Sequence, residues 1–156
     1  MNMSIMVHPY HTLYTVCTEF KFDEIPMRYR DLEMFEHDMI HLMIHSNGIG
    51  LAANQIGITK RFFAIGHESF DVFKKPAIIY NPVLVNADEE QELAQEGCLS
   101  FPGLLLQVSR PKIIMVRYQN NKGEFLLSRL EGLEARCFQH ELDHLNGITF
   151  NKKANR

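Results

Sequence analysis

In the stretch FQHELDHLNG, His140 and His144 lie four residues apart, with Glu141 directly after the first. On a helix this spacing puts both imidazoles on one face, where they can hold one ion, and the glutamate can reach a water beside that ion as general base. Two ligands do not complete a site, and the same pattern also suits a helix with core and surface histidines. The third candidate is Cys98, in QEGCLSFPG. A free cysteine is most often a small buried hydrophobe. This one stands between Gly97 and Leu99 at an expected turn, where a thiolate can project inward. One thiolate and two imidazoles leave a fourth tetrahedral position open, the arrangement of a catalytic rather than a structural site.

The elements that must position these groups show in the periodicity. Residues 27–45 carry Leu32, Phe35, Met39 and Leu42 at helical intervals, after Pro26 and before SNG, which predicts an amphipathic helix stopping at Gly48 with positive φ there. GIGLAANQIG reads as a glycine-flanked loop. RFFAIG and PAIIYNPVLV read as strands, broken by a polar turn and by Pro82. KIIMVRYQ and GEFLLSRL, on either side of NNKG, predict a hairpin. The last helix is predicted to begin at SRLE, with Ser128 capping and Glu131 reaching back, and to end at Asn146 and Gly147. Within it, at about 100° per residue, Leu133, Cys137, His140 and His144 share an arc of about 60°.

Several side chains stay open at this level. Glu96 and Arg110 are either a buried pair bracing the cysteine turn or solvated charges, and Asp143 either orients a histidine or faces water. Cys137 is either pocket wall or plain core. Leu104, Leu105 and Leu106 form either the edge of a groove or a half-buried strand.

The 156 residues suffice for one domain with a sizeable core, expected over 1–156, and a hydrophobic share of 46% with 22% charged residues excludes disorder. A net charge of −3 and scattered basic residues exclude a nucleic-acid footprint. No apolar run approaches the roughly 20 residues of a membrane span, and MNMSIMVHPYHTLYTV lacks the basic and apolar regions of a signal peptide, so a cytoplasmic protein without a membrane partner is expected. Three cysteines at unrelated spacings are no disulfide framework.

Three stretches, GIGLAANQ (48–55), EGCLS (96–100) and QHELDH (139–144), occur in this order. Together they resemble peptide deformylase, matching its motifs G-x-G-x-A-A-x-Q, E-G-C-x-S and H-E-x-x-H at every defining position. The resemblance extends to HP near the start, NP at 81–82 and EARCFQHELDHLNG. It implies an α+β fold, with antiparallel strands packed around a central metal-binding helix. It also implies removal of the formyl group from N-formylmethionine of nascent polypeptides, met at the ribosome in a bacterial cytoplasm. By resemblance, Cys98, His140 and His144 are the metal ligands and Glu141 the general acid/base for a metal-bound water. Gln55, through its amide, and Leu99, through its N–H, form the oxyanion site, and Ile49 and Gly50 meet the substrate backbone, with Gly50 lacking a Cβ that would obstruct it. The helix arc adds Leu133 and Cys137 as an apolar wall for methionine. The resemblance implies Fe2+; the ligand set suits Zn2+, Co2+ or Ni2+ as well. Longer bacterial members continue into a C-terminal helix, whereas this sequence stops at GITFNKKANR, similar to the short forms of bacteriophages.

Two rivals share parts of the pattern. A zinc endopeptidase would take its third ligand from a His or Glu downstream of the second histidine, and residues 145–156 contain neither. A non-catalytic protein braced by an ion would have no use for Gln55 and Glu141.

Overall fold

The computed structural model describes residues 3–154. Strands β1 (Gly50–Ala52), β2 (Phe62–Ile65), β3 (Ala77–Ala87), β6 (Ile113–Gln119) and β7 (Phe125–Glu131) form an antiparallel sheet in the order β1-β2-β3-β6-β7; β4 (Gln91–Cys98) and β5 (Phe101–Pro111) form a separate two-stranded sheet. The apolar runs FFAI and IIY lack polar alternation because helices cover both faces of their strands. Phe62, Ala64, Ile78 and Tyr80 pack on one side with Phe35, Met39 and Met43 of helix α1 (Leu32–His45). Phe63, Ile65 and Ile79 face the other way, joined by Val116, Tyr118 and Leu130, and meet Ala135, Phe138, Leu142 and Leu145 of helix α2 (Gly132–Leu145). Helix α2 also touches β5, so it lies between the large sheet and the β4–β5 hairpin. This is the expected α+β arrangement of antiparallel strands around one helix. No helix among the described residues is long and apolar enough to cross a membrane.

Local boundaries differ from the sequence reading in instructive ways. Helix α1 starts at Leu32, not near residue 27: Met27 and Arg28 have φ of 55° and 60°, and the Asp31 side chain accepts from Met34 N–H at 2.9 Å as the true cap. At its far end Asn47, φ 61°, takes the left-handed position expected of Gly48. Gly48 leaves room of another kind, since a Cβ there would lie 2.8 Å from Leu99 Cδ1 and that side chain would have to shift.

The stretch GIGLAANQIG is not a plain loop. It holds β1 and a 3-10 turn, Ala53–Ile56. Pro82 does not break β3 but sits at a register shift between Tyr80 and Val83, where a missing N–H costs the ladder nothing. Helix α2 begins at Gly132, φ 66°, after Glu131, which makes no side-chain cap. Ser128 therefore caps nothing: it stays in β7 and bonds the Tyr118 hydroxyl at 2.9 Å. The β6–β7 hairpin and the helix end at Gly147, φ 72°, follow the sequence reading.

Candidate metal centre

Helix α2 is buried nearly all round, although it carries charged residues. A buried charge must find a partner, and each of these partners fixes the helix. Glu134 accepts from the Val72 and Phe73 N–H groups at 3.0 and 2.7 Å. Arg136 donates to Glu96 at 2.6 Å and to the Val108 carbonyl at 2.8 Å, and Gln139 donates to the Pro111 carbonyl at 3.1 Å. The helix is thereby pinned in rotation, with His140 and His144 turned toward the hairpin end where β4 delivers Cys98. A register shift between Glu96 and Cys98 lets the strand re-aim its last residue.

The ligand atoms of Cys98, His140 and His144 lie within 4.8 Å of one another. Cys98 Sγ is 3.4 Å from His144 Nε2, and the two imidazole centroids are 5.0 Å apart. Glu96 Oε1 lies 2.9 Å from His140 Nδ1, and the same carboxylate accepts from Arg110 at 2.6 and 3.0 Å. Burial pushes the Glu96 carboxyl up, but hydrogen bonds from His140 and Arg110 outweigh it and hold it at about 2. An ionised carboxylate can only accept, so Nδ1 of His140 keeps its proton toward Glu96, and Nε2 is the nitrogen that would face an ion once its own proton is displaced. Burial also disfavours a charged His140, yet hydrogen bonds to Cys98 and Glu96, with the Glu141 charge, push it up to about 10. His144 goes the other way: burial, then the charges of His140 and Arg110, hold it well below its ordinary value. One sulfur and two imidazole donors converging on one point fit a divalent transition-metal ion.

The remaining residues expected from the sequence line one cleft of about 530 Å³ beside these ligands: Ile49, Gly50, Gln55, Leu99, Leu133, Cys137 and Glu141. The Gln55 amide is oriented at both ends. Its Oε1 accepts from Ala52 N–H at 2.8 Å, which turns Nε2 toward Ser100 Oγ at 3.1 Å and Cys98 Sγ at 3.7 Å. Glu141 is 4% exposed, and its Oε1 has no hydrogen-bond partner among the described residues. Burial first, and the Glu96 charge behind it, push its carboxyl up to about 7 against the pull of His140. Cys137 is buried, its thiol donating to the Ile49 carbonyl at 3.4 Å, while Leu133 stands exposed at the mouth of the cleft.

At Gly50 the missing side chain also serves the protein itself. A Cβ there would fall 2.6 Å from Glu141 Oε2 and 2.8 Å from its Cδ and Cγ, so the bare backbone makes room for the glutamate itself. The open alternatives also resolve. Glu96 and Arg110 are a buried pair, and Asp143 accepts from Arg110 at 2.8 Å rather than from a histidine. Leu104 and Leu105 edge the cleft, while Leu106 packs half-buried near Phe101, Val108 and Phe150.

Three residues at the site had no role in the sequence reading. Arg136 is one. Ser100 is fully buried against Gln55, and Asn54 donates through Nδ2 to the His144 carbonyl. Arg136 lies one turn before His140 on the same helix, the only local hint it gave.

A sequence model described as polypeptide deformylase matches residues 2–156. The peptide deformylase of Thermotoga petrophila is 48% identical over 128 residues, covering 82% of this chain and 71% of that protein. Among solved structures, the crystal structure of peptide deformylase from Thermotoga maritima superposes with a TM-score of 0.87 at 39% identity, covering 99% of this chain and 98% of the other. The Met-Ala-Ser-bound class I type b peptide deformylase from Acinetobacter baumannii gives 0.87 at 28% identity, covering 98% of each chain.

Proposed function

The chain belongs to the polypeptide deformylase family, enzymes that hydrolyse the formyl group from N-formylmethionyl peptides, and from that premise we propose how its residues divide the work. Cys98, His140 and His144 hold one divalent ion; the observation that carries this is the convergence of their ligand atoms within 4.8 Å. Such an ion supplies Lewis acidity, polarising the formyl carbonyl and making water a nucleophile at neutral pH. We assign Fe2+ from the family resemblance; the same donors accept Zn2+, Co2+ or Ni2+.

Glu141 removes the proton of the attacking water and returns it to the leaving amine nitrogen. Burial sets its carboxyl at about 7, close to the value a general acid/base needs near neutral pH. Gln55 Nε2 and the Leu99 N–H donate to the oxygen that gains charge as the formyl carbon becomes tetrahedral. The Ala52 anchor on Gln55 Oε1 keeps that amide from rotating away. Ile49, just before β1, and Gly50, the first residue of that edge strand of the large sheet, flank the substrate backbone. Leu133 and Cys137 form the apolar wall for the methionine side chain, whose flexible thioether adapts to it. Residues 1–156 act as one catalytic domain, and its substrates are formylated chains emerging from ribosomes in the bacterial cytoplasm.

The Acinetobacter neighbour binds Met-Ala-Ser, and formyl-Met-Ala-Ser is the substrate for the test. Turnover should vanish with a chelator and return with added Fe2+ or Ni2+, and acetyl-Met-Ala-Ser should be cut far more slowly. Full turnover by protein shown to contain no ion would overturn the ligand assignment, and equal rates on both substrates would indicate a general amidohydrolase.

A further inference from the structure

Helix α1 carries a second set of histidines, His37, His41 and His45, at the i, i+4, i+8 spacing that aligns side chains along one face. All three are exposed. The His41 and His45 rings are stacked, with centroids 3.9 Å apart and planes 27° from parallel, closer than the 5.0 Å between the imidazoles of the α2 centre. His37 follows one turn back, 6.3 Å from His41, with its Nδ1 turned to Asp38 at 3.3 Å.

The electrostatic setting favours a cation. No lysine or arginine occurs between Arg30 and Lys60, while α1 itself contains Glu33, Glu36 and Asp38. His45 also occupies the last turn of the helix, one turn after His41, where the backbone dipole presents its negative end. We propose that His41 and His45 form a two-imidazole clamp for a borderline divalent cation, Cu2+, Ni2+ or Zn2+, separate from the Cys98 centre. Imidazole selects these ions over Mg2+ or Ca2+, which require oxygen donors. A bound ion ties position i to i+4 and so staples the end of α1, directly before Asn47 and Gly48, which line the substrate cleft.

The test uses the enzyme already loaded with Ni2+ at its catalytic centre, titrated with further Ni2+ by calorimetry. One additional equivalent should bind, and the melting temperature should rise with its occupancy. His41→Ala and His45→Ala should each weaken the added equivalent by at least about 10- to 100-fold, the loss that even removing a ligand's supporting partner produces. Deformylation should stay at the parent rate in both. His37→Ala, a turn further back and facing Asp38, should leave the added equivalent at parent affinity. No additional equivalent at 100-fold excess Ni2+, or one that survives His41→Ala and His45→Ala together, would overturn the proposal. Cys98→Ser separates the two centres: it should lose the first equivalent and keep the second, and loss of the second equivalent in that folded variant would also overturn it.

Discussion

Gly50→Ala tests whether the missing side chain at Gly50 serves Glu141 or the substrate. The added Cβ would stand 2.6 Å from Glu141 Oε2 and 2.8 Å from its Cδ and Cγ, whereas carbon contacts are comfortable at about 3.5–4.0 Å. The carboxyl must therefore retreat by close to 1 Å. Backbone strain adds nothing, because Gly50 is absent from the positive-φ glycines. A displacement of about 1 Å in a reacting group can cost about 100-fold in rate, so kcat for formyl-Met-Ala-Ser should fall by about that factor. KM and metal content should change little, since no ligand moves. Steady-state kinetics with metal analysis on the purified variant provides the readout. Gly48→Ala is the comparison: the one close contact of its Cβ is Leu99 Cδ1, the end of a flexible side chain, at 2.8 Å, with the Met43 and Gly50 carbonyls at ordinary distances of 3.4 and 3.5 Å, and the loss should be smaller. A raised KM with unchanged kcat in Gly50→Ala would show that the glycine admits the substrate chain, and parent-like kinetics would refute the steric argument altogether.

Four other changes probe the remaining roles. Cys98→Ala should lose stoichiometric metal by elemental analysis, and a full equivalent at parent affinity would remove the thiolate from the ligand set. Glu141→Gln should keep its ion while kcat falls about 100- to 10,000-fold, the usual contribution of a general acid/base. Gln55→Ala should lower kcat by about 100-fold more than it affects KM, because its amide is aimed at charge that develops during attack; a pure KM effect would make it a positioning group. Glu96 has a folded value near 2 against an ordinary 4.5, so its stabilisation is complete above about 4.5 and is lost as pH falls toward 2. Glu96→Gln should flatten that acid branch in a circular-dichroism titration and cost about 3–5 kcal/mol at neutral pH by leaving Arg136 buried without a carboxylate and Arg110 with Asp143 alone.

What could be read from the sequence followed the range of the interaction. His140, Glu141 and His144 were legible because helix geometry brings near neighbours together, and the β6–β7 hairpin because its turn chemistry is local. The start of α2 misled because SRLE resembles a cap, while Ser128 is claimed by Tyr118, ten residues away on the paired strand. Met27 failed as a helical residue because its left-handed φ leaves no trace in hydrophobic spacing. The role of Arg136 rests on Glu96, forty residues distant, and that of Gly50 on Glu141, ninety-one residues distant. Periodicity cannot express either contact.

The β4–β5 hairpin pairs with no strand of the large sheet, and two strands alone are marginally stable in water. It is tethered to α2 by Arg136 and His140 on Glu96 and by Arg110 on Asp143, and its tip carries Cys98. An ion held by Cys98, His140 and His144 is therefore also a crosslink, closing a loop of about forty residues between the hairpin tip and the helix. Its release would remove a constraint from a sheet of only two strands, and the free energy of opening the hairpin locally should fall. The amides of Gln91–Cys98 and Phe101–Pro111 would then exchange with solvent through a partial opening that leaves the large sheet protected. The same strands carry Leu104 and Leu105 at the cleft edge, which makes loss of the ion and loosening of the substrate groove a single event.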